Sequence, residues 1–244
     1  MFMIKAEEIK RLSIRNQIAP IVIAREYIQH NYLSELYKLK GAEKLLFKGG
    51  TALRIIYQSP RFSEDLDFTG TQNVSYYEIE NLLTNTLKNL SDWGFDIDID
   101  EAKKTTGGYL AKIFLSFLRF KMVLKIEISF RQSREKIKTE ISSIENEYIA
   151  RYSIIHLSQQ EIINGKINAL LSRSKPRDWY DLYFFLHNKM LYPVQKNLLP
   201  EILAKLKRTK MDFKKELKEF LPRSHQPIIN DFKNILITEI EKQG

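Results

Sequence analysis

Residues 46–70 read LFKGGTALRIIYQSPRFSEDLDFTG. A short apolar run ends in Gly49-Gly50, a helix-forming segment opens at Thr51, and Asp65 and Asp67 follow fourteen and sixteen residues after that threonine. The whole chain has only 9 glycines, so two in succession after a strand mark a local backbone requirement. Glycine lets the chain turn tightly and approach a ligand closely. A helix beginning at Thr51 would add N-terminal N–H groups that favour phosphate. The stretch FSEDLDFT (62–69) reads as a strand. Side chains alternate along a strand, so Asp65 and Asp67 share one face and Leu66 and Phe68 the other. Two neighbouring carboxylates repel unless something positive lies between them, and Mg²⁺ held by oxygen ligands usually keeps positions open for phosphate oxygens. The aspartates alone fit an exposed strand face equally well. Joined to the Gly-Gly-Thr turn, they make the minimum apparatus for phosphoryl or nucleotidyl transfer.

A third carboxylate stands in LKIEISF (124–130). Alternation puts Lys125, Glu127 and Ser129 on one face and Leu124, Ile126, Ile128 and Phe130 on the other. Glu127 fits a third metal ligand or a base; an exposed Lys–Glu pair is the plainer alternative. Asp96, Asp98 and Asp100 also alternate, in FDIDIDEA. No glycine turn accompanies them, and acids on an edge strand discourage pairing with another chain, so they read as edge protection rather than a metal site.

Outward from this centre, APIVIAREYIQHNYLSELYKL carries apolar residues at helical spacing after Pro20. KLLFK, FDIDIDEA, YLAKIFLSFL and MVLKIEISF read as strands. NVSYYEIENLLTNTLKNLSDWG reads as a helix opened by the capping box Ser75-x-x-Glu78 and closed by Gly94. After about residue 150 strand signals stop, apart from SIIHL. A second box, Ser158-x-x-Glu161, opens one helix and Pro176 starts another. The expected division is an α/β part at 1–150 and a helical part at 151–244.

Hydrophobic residues make up 43% of the 244 residues, enough for a sizeable core. The absence of cysteine excludes disulfide scaffolds and thiolate zinc sites and fits a reducing compartment. No apolar run approaches the roughly 20 residues of a membrane span, and the opening MFMIKAEEIK is charged too early for a signal peptide; a cytoplasmic protein is expected. The formal net charge is +9. Residues 151–244 hold 17 Lys and Arg against 10 Asp and Glu, whereas the first 150 are nearly balanced, with 22 against 20. A basic half suits a polyanion such as RNA. Within it, Lys166 and Arg173 lie two helical turns apart on one face. Asp178 and Asp181 follow Pro176, where the helix dipole alone would favour acids.

The segments FKGGTALR, RFSEDLDF, KIEIS, EIINGKINALLSR and RDWYDLYFF, in this order, resemble the AbiEii/AbiGii-type nucleotidyltransferase toxins of the DNA polymerase β-like superfamily. The match runs over roughly residues 13–190. The resemblance implies an α+β fold: a nucleotidyltransferase-type mixed sheet with flanking helices, then an all-helical C-terminal region contributing Lys and Asp to the site. It implies that Gly49, Gly50 and Thr51 form the phosphate-binding turn, with Lys48 and Ser63 in the matching segments also binding substrate. Asp65 and Asp67 match the metal pair and Glu127 the more variable third acid, with Mg²⁺ or Mn²⁺ as cofactor. Lys166 and Asp178 match catalytic positions, and Arg173 and Asp181 substrate-binding ones. The implied activity is transfer of an NMP from an NTP to an RNA acceptor, tRNA foremost, by the toxin of a toxin–antitoxin or phage-defence system with a cognate antitoxin. Transfer to a protein or small-molecule hydroxyl, or a non-catalytic nucleotide- or RNA-binding regulator, are the alternatives.

Overall fold

The structure is a computed structural model and describes residues 3–130 and 137–243. It divides into two compact units. The first takes the chain through Gln58 together with Phe62–Ser158; the second takes Ser59–Arg61 and the chain from Gln159 onward. The strand Tyr152–Leu157 therefore belongs with the sheet, and the first unit ends at Ser158, eight residues past the boundary expected from the sequence.

In the first unit, helices α1 (Ala6–Asn16) and α2 (Pro20–Leu36) lead into β1 (Leu45–Lys48), α3 (Gly49–Tyr57), β2 (Leu66–Gly70) and α4 (Tyr76–Asp92). Five strands complete it: β3 (Asp96–Thr105), β4 (Gly108–Phe117), β5 (Phe120–Phe130), β6 (Thr139–Ile144) and β7 (Tyr152–Leu157). Their order across the mixed sheet is β3-β4-β5-β2-β1-β7-β6. Pro20 occupies the first turn of α2, where its missing N–H costs nothing. That helix is buried on nearly every side, through Ile23, Tyr27, Ile28, Leu33 and Leu36 among others, so its apolar residues do not form a single stripe. The expected capping box holds α4: Glu78 N–H donates to Ser75 Oγ at 3.2 Å, and Ser75 N–H to Glu78 Oε2 at 2.8 Å.

Two strand readings change. Residues 62–65 lie outside β2, which begins at Leu66. The carbonyls of Ser63 and Glu64 accept from the Gln29 amide, each at 3.0 Å, and that of Asp65 from the Thr51 hydroxyl at 2.5 Å. These side-chain bonds hold the segment in a loop, and pairing starts where β5 meets the chain at Leu66↔Ile126. Strand β6 gave no sequence signal, because TEISSI lacks a clear alternation. Strand β3 is a sheet edge, and Asp96, Asp98 and Asp100 are exposed on it. A register shift between Ile99 and Glu101 breaks their common face.

The second unit is helical: α5 (Gln159–Ser172), α6 (Pro176–His187), α7 (Pro193–Lys196), α8 (Leu199–Arg208), α9 (Phe213–Phe220), α10 (Gln226–Asn230) and α11 (Phe232–Glu241). Its core gathers Ile163, Leu170, Trp179, Phe185, Leu206, Leu217 and Phe232, all nearly inaccessible. Phe232 packs against Phe213 at 5.1 Å and Tyr180 at 6.0 Å between ring centroids. Helix α8 buries Ile202 and Leu206 and exposes Lys207 and Arg208, the two-sided pattern of a surface helix.

Candidate active site

Strand β1 pairs antiparallel with β2, and β2 runs parallel to β5. The registers place Lys48 opposite Asp67, Asp67 opposite Glu127 and Glu127 opposite Leu110 of β4. Neighbours in a cross-strand row project from the same face, so the two carboxylates stand side by side with Lys48 at the end of the row. Gly49 is essential to this packing. Its φ is +88°, and a Cβ built on it would overlap the carboxylate of Asp67. Only glycine allows the start of α3 to lie against that carboxylate.

Thr51 is fully buried, and its hydroxyl holds the Asp65 carbonyl. Its contact is with the protein framework, and so is that of the Ser63 carbonyl with Gln29. Together they fix the loop carrying Asp65, one residue before β2. Glu127 forms an ion pair with Lys125, and Lys48 Nζ donates to Ser129 Oγ. The Lys125 ammonium is held above its usual pKa, first by the Glu127 hydrogen bond, with burial opposing and the charges of Glu127, Asp65 and Asp67 adding to the pull. Lys48, Asp67, Glu127 and Ser129 border a cavity of about 340 Å³ that Thr105 and Tyr109 also line.

Among the described residues, no three His, Asp or Glu side chains are gathered as a ready metal cage. The donor set nevertheless suits a hard cation, because it is all oxygen. Mg²⁺ is usually bound through one or two carboxylates, with waters and substrate phosphates completing its shell. Asp65 and Asp67 fit that role, and the gap at Gly49 shows how tightly the backbone closes on Asp67. Glu127, engaged by Lys125, fits it less directly.

The second unit holds its charges differently. Asp178 and Asp181 are both buried. Asp178 accepts from Arg173 Nε at 3.0 Å and Nη2 at 2.8 Å, and from the Lys175 N–H at 3.0 Å, which caps α6. Asp181 accepts from Arg61 Nε at 3.0 Å, and Arg61 Nη2 reaches its two oxygens at 2.9 and 3.1 Å. Lys166 Nζ reaches Asp181 Oδ2 at 2.7 Å. Burial works to raise the Asp181 pKa, but the charges and hydrogen bonds of Arg61 and Lys166 outweigh it and hold it below the usual value. Lys166 and Asp181 are thus brought together, as are Arg173 and Asp178.

A family model described as nucleotidyl transferase AbiEii toxin, type IV TA system, matches residues 31–243. The chain belongs to this family. Like its family, it is a nucleotidyltransferase of toxin type. The chain is also similar in fold to MenT4, a nucleotidyltransferase toxin from Mycobacterium tuberculosis, with a TM-score of 0.64 and 14% identity over 98% of this chain and 90% of that one. A second solved structure, JHP933 from Helicobacter pylori, gives a TM-score of 0.56 and 20% identity over 93% of this chain and 96% of that one. No curated protein matches.

In this AbiEii-family chain, the sequence reading passed over Arg61 and the cavity residues Thr105 and Tyr109. Arg61 is 2% exposed, and its position in RFSEDLDF was the available signal. Its partner lies 120 residues away, beyond the reach of any local pattern. Thr105 and Tyr109 flank the turn between β3 and β4, and only the three-dimensional pairing of β4 with β5 brings them beside Glu127.

Proposed function

We propose that the protein moves an NMP from an NTP onto an RNA acceptor, tRNA foremost, with a divalent metal. The observation that carries this reading is the row Lys48–Asp67–Glu127, packed against the glycine start of α3. Asp65 and Asp67 hold Mg²⁺ or Mn²⁺. The metal, when bound, supplies Lewis-acid stabilisation of the triphosphate and of charge developing at the α-phosphorus. The first turn of α3, opened by Gly49 and Gly50, offers N–H groups to a phosphate oxygen. Thr51 keeps Asp65 in place through its carbonyl.

The acceptor hydroxyl oxygen forms a bond to the α-phosphorus as the bond to the β-phosphate bridging oxygen breaks, and pyrophosphate leaves. Glu127, with 47% of its side chain exposed, receives the hydroxyl proton. In the helical unit, Lys166 neutralises the charge of the triphosphate and of the departing pyrophosphate, a role suited to a compact ammonium. Arg173 and Asp178 hold the start of α6 in register. The exposed cations of α8, α9 and the link between them, including Lys207, Arg208, Lys210, Lys214 and Lys215, contact acceptor phosphates.

The family places the chain in a type IV toxin–antitoxin system, so a cognate antitoxin is the proposed partner, and the cytoplasm, where NTPs and tRNA meet, the proposed location. No described helix is long and apolar enough to cross a membrane. Pyrophosphate release from each NTP, with and without bulk tRNA, tests the proposal. Release stimulated by tRNA supports it, and release unchanged by tRNA but stimulated by protein or a small alcohol would redirect it.

A further inference from the structure

Asp181 binds two cations, and they differ in access. The side chain of Arg61 is 3% exposed, that of Asp181 0%, and that of Lys166 12%. Arg61 engages both carboxylate oxygens with its planar fork at 2.9–3.1 Å, whereas Lys166 makes one contact at 2.7 Å. All three lie within the helical unit. A lysine facing a lone aspartate would be neutralised by it and would have little attraction left for an anion. A second cation on the same carboxylate changes that balance.

We infer that Arg61 is a positioning residue that neutralises Asp181, so that Asp181 orients Lys166 without cancelling its charge and the lysine, the least buried of the three, stays available to a triphosphate. The inference rests on the proposed role of Lys166 in NTP handling. The geometry supports a division of labour. The bidentate pair suits a structural ion pair, because the fork matches the carboxylate and holds it rigidly. The single lysine contact leaves its other donors for a ligand. With two cations on one anion, the cluster carries one excess positive charge, and that charge is displayed at its least buried member. A purely structural triad would have no such requirement for charge.

The test uses the full chain and equilibrium binding of each of the four NTPs with Mg²⁺, together with KM, kcat and thermal midpoint. The variants are Lys166→Ala, Arg61→Met, Arg61→Lys and the double Arg61→Met/Asp181→Asn. Arg61→Met leaves Asp181 to neutralise Lys166, and NTP binding should weaken about as much as in Lys166→Ala, on the order of tenfold for the loss of one charge contact. The double variant restores the excess charge, so its NTP affinity should recover most of that loss while kcat stays low, because Lys166 is no longer oriented. Arg61→Lys keeps the charge and loses the fork; its NTP affinity should remain near wild type while kcat falls. If Arg61→Met fails to fold, Arg61→Gln removes the same charge with a polar side chain and takes its place in the comparison. A weakened Lys166→Ala beside a folded Arg61→Met of wild-type affinity, or a folded double variant with no recovery, overturns the inference and leaves the proposed function standing. Wild-type NTP affinity in Lys166→Ala removes Lys166 from NTP handling, and with it the basis of the inference.

Discussion

The candidate site acids of the two units are handled in opposite ways. On the sheet, Asp65, Asp67 and Glu127 stay partly open to solvent, and Glu127 and Lys125 have side chains 47% and 34% exposed. In the helical unit, Asp178 and Asp181 are 1% and 0% exposed, and each is closed by arginine. An exposed acid keeps its hydration and gives it up only to a ligand. A buried acid must be satisfied within the fold, since removing one partner of a buried pair leaves an uncompensated charge. In the proposed function, the same residue type therefore binds ligand on the sheet and serves architecture among the helices, where the ligand is left to Lys166.

The sharpest break of this contrast comes from one substitution in each unit. Asp67→Ala should abolish nucleotidyl transfer, while stability stays within the roughly 0.5 kcal/mol typical of surface positions. Transfer assays with saturating Mg²⁺, paired with thermal unfolding, check it, and wild-type-like transfer would remove Asp67 from the metal site. Asp181→Ala should instead cost stability, destabilising the helical unit by about 3–5 kcal/mol because Arg61 and Lys166 lose their shared partner. Denaturant unfolding measures it, and a loss under about 1 kcal/mol would show that the pair is not buried as described.

The contrast was only partly legible in the sequence, and the reason is distance along the chain. Local signals were readable: Ser75 and Glu78 form their box, Pro20 and Pro176 begin helices, and Gly49 takes a positive φ. The division into an α/β part and a helical part followed from the loss of strand signals near residue 150, and the α+β class from the family resemblance. Pairings between distant segments were not readable. Asp67 meets Glu127 through a parallel pairing of strands 60 residues apart, and Arg61 meets Asp181 across 120. Hydroxyl roles were also hidden. The sequence placed Thr51 in the phosphate-binding turn, and the structure adds that its hydroxyl donates to the Asp65 carbonyl.

A smaller effect sharpens the stability side within the sheet unit. His30 in α2 is hydrogen-bonded to the Tyr152 hydroxyl at 2.8 Å, and burial pushes its pKa down to about 4. The unfolded chain binds the proton near the ordinary value of 6.5, so folding opposes protonation. Stability from neutral His30 is fully present above pH 6.5 and is lost as pH falls from there toward 4, by up to about 3 kcal/mol. Unfolding free energies across that range check the slope, and His30→Phe should flatten it; an unchanged slope would assign the pH dependence elsewhere.

The gentlest test concerns the exposed cations of the helical unit. Replacing Lys207, Arg208 and Lys210 with alanine should weaken RNA binding by a similar factor for all sequences and flatten its salt dependence by about 0.9 log–log unit per lost phosphate contact. Lys207 also meets Glu241 at 3.3 Å, with both side chains more than half exposed, so stability should barely change. NTP affinity should stay as in wild type. Unaltered RNA affinity and salt slope would shift the acceptor surface toward Arg173, Lys175 and Arg177.

The most direct measurement follows the destination of the nucleotide. The protein is incubated with total cellular RNA, Mg²⁺ and each NTP in turn, labelled at either the α- or the γ-phosphate. The account predicts that α-label enters RNA in the tRNA size range, that γ-label leaves with pyrophosphate, and that Asp67→Ala gives no transfer of either. Label in protein with none in RNA, or γ-label retained on the acceptor, would contradict it.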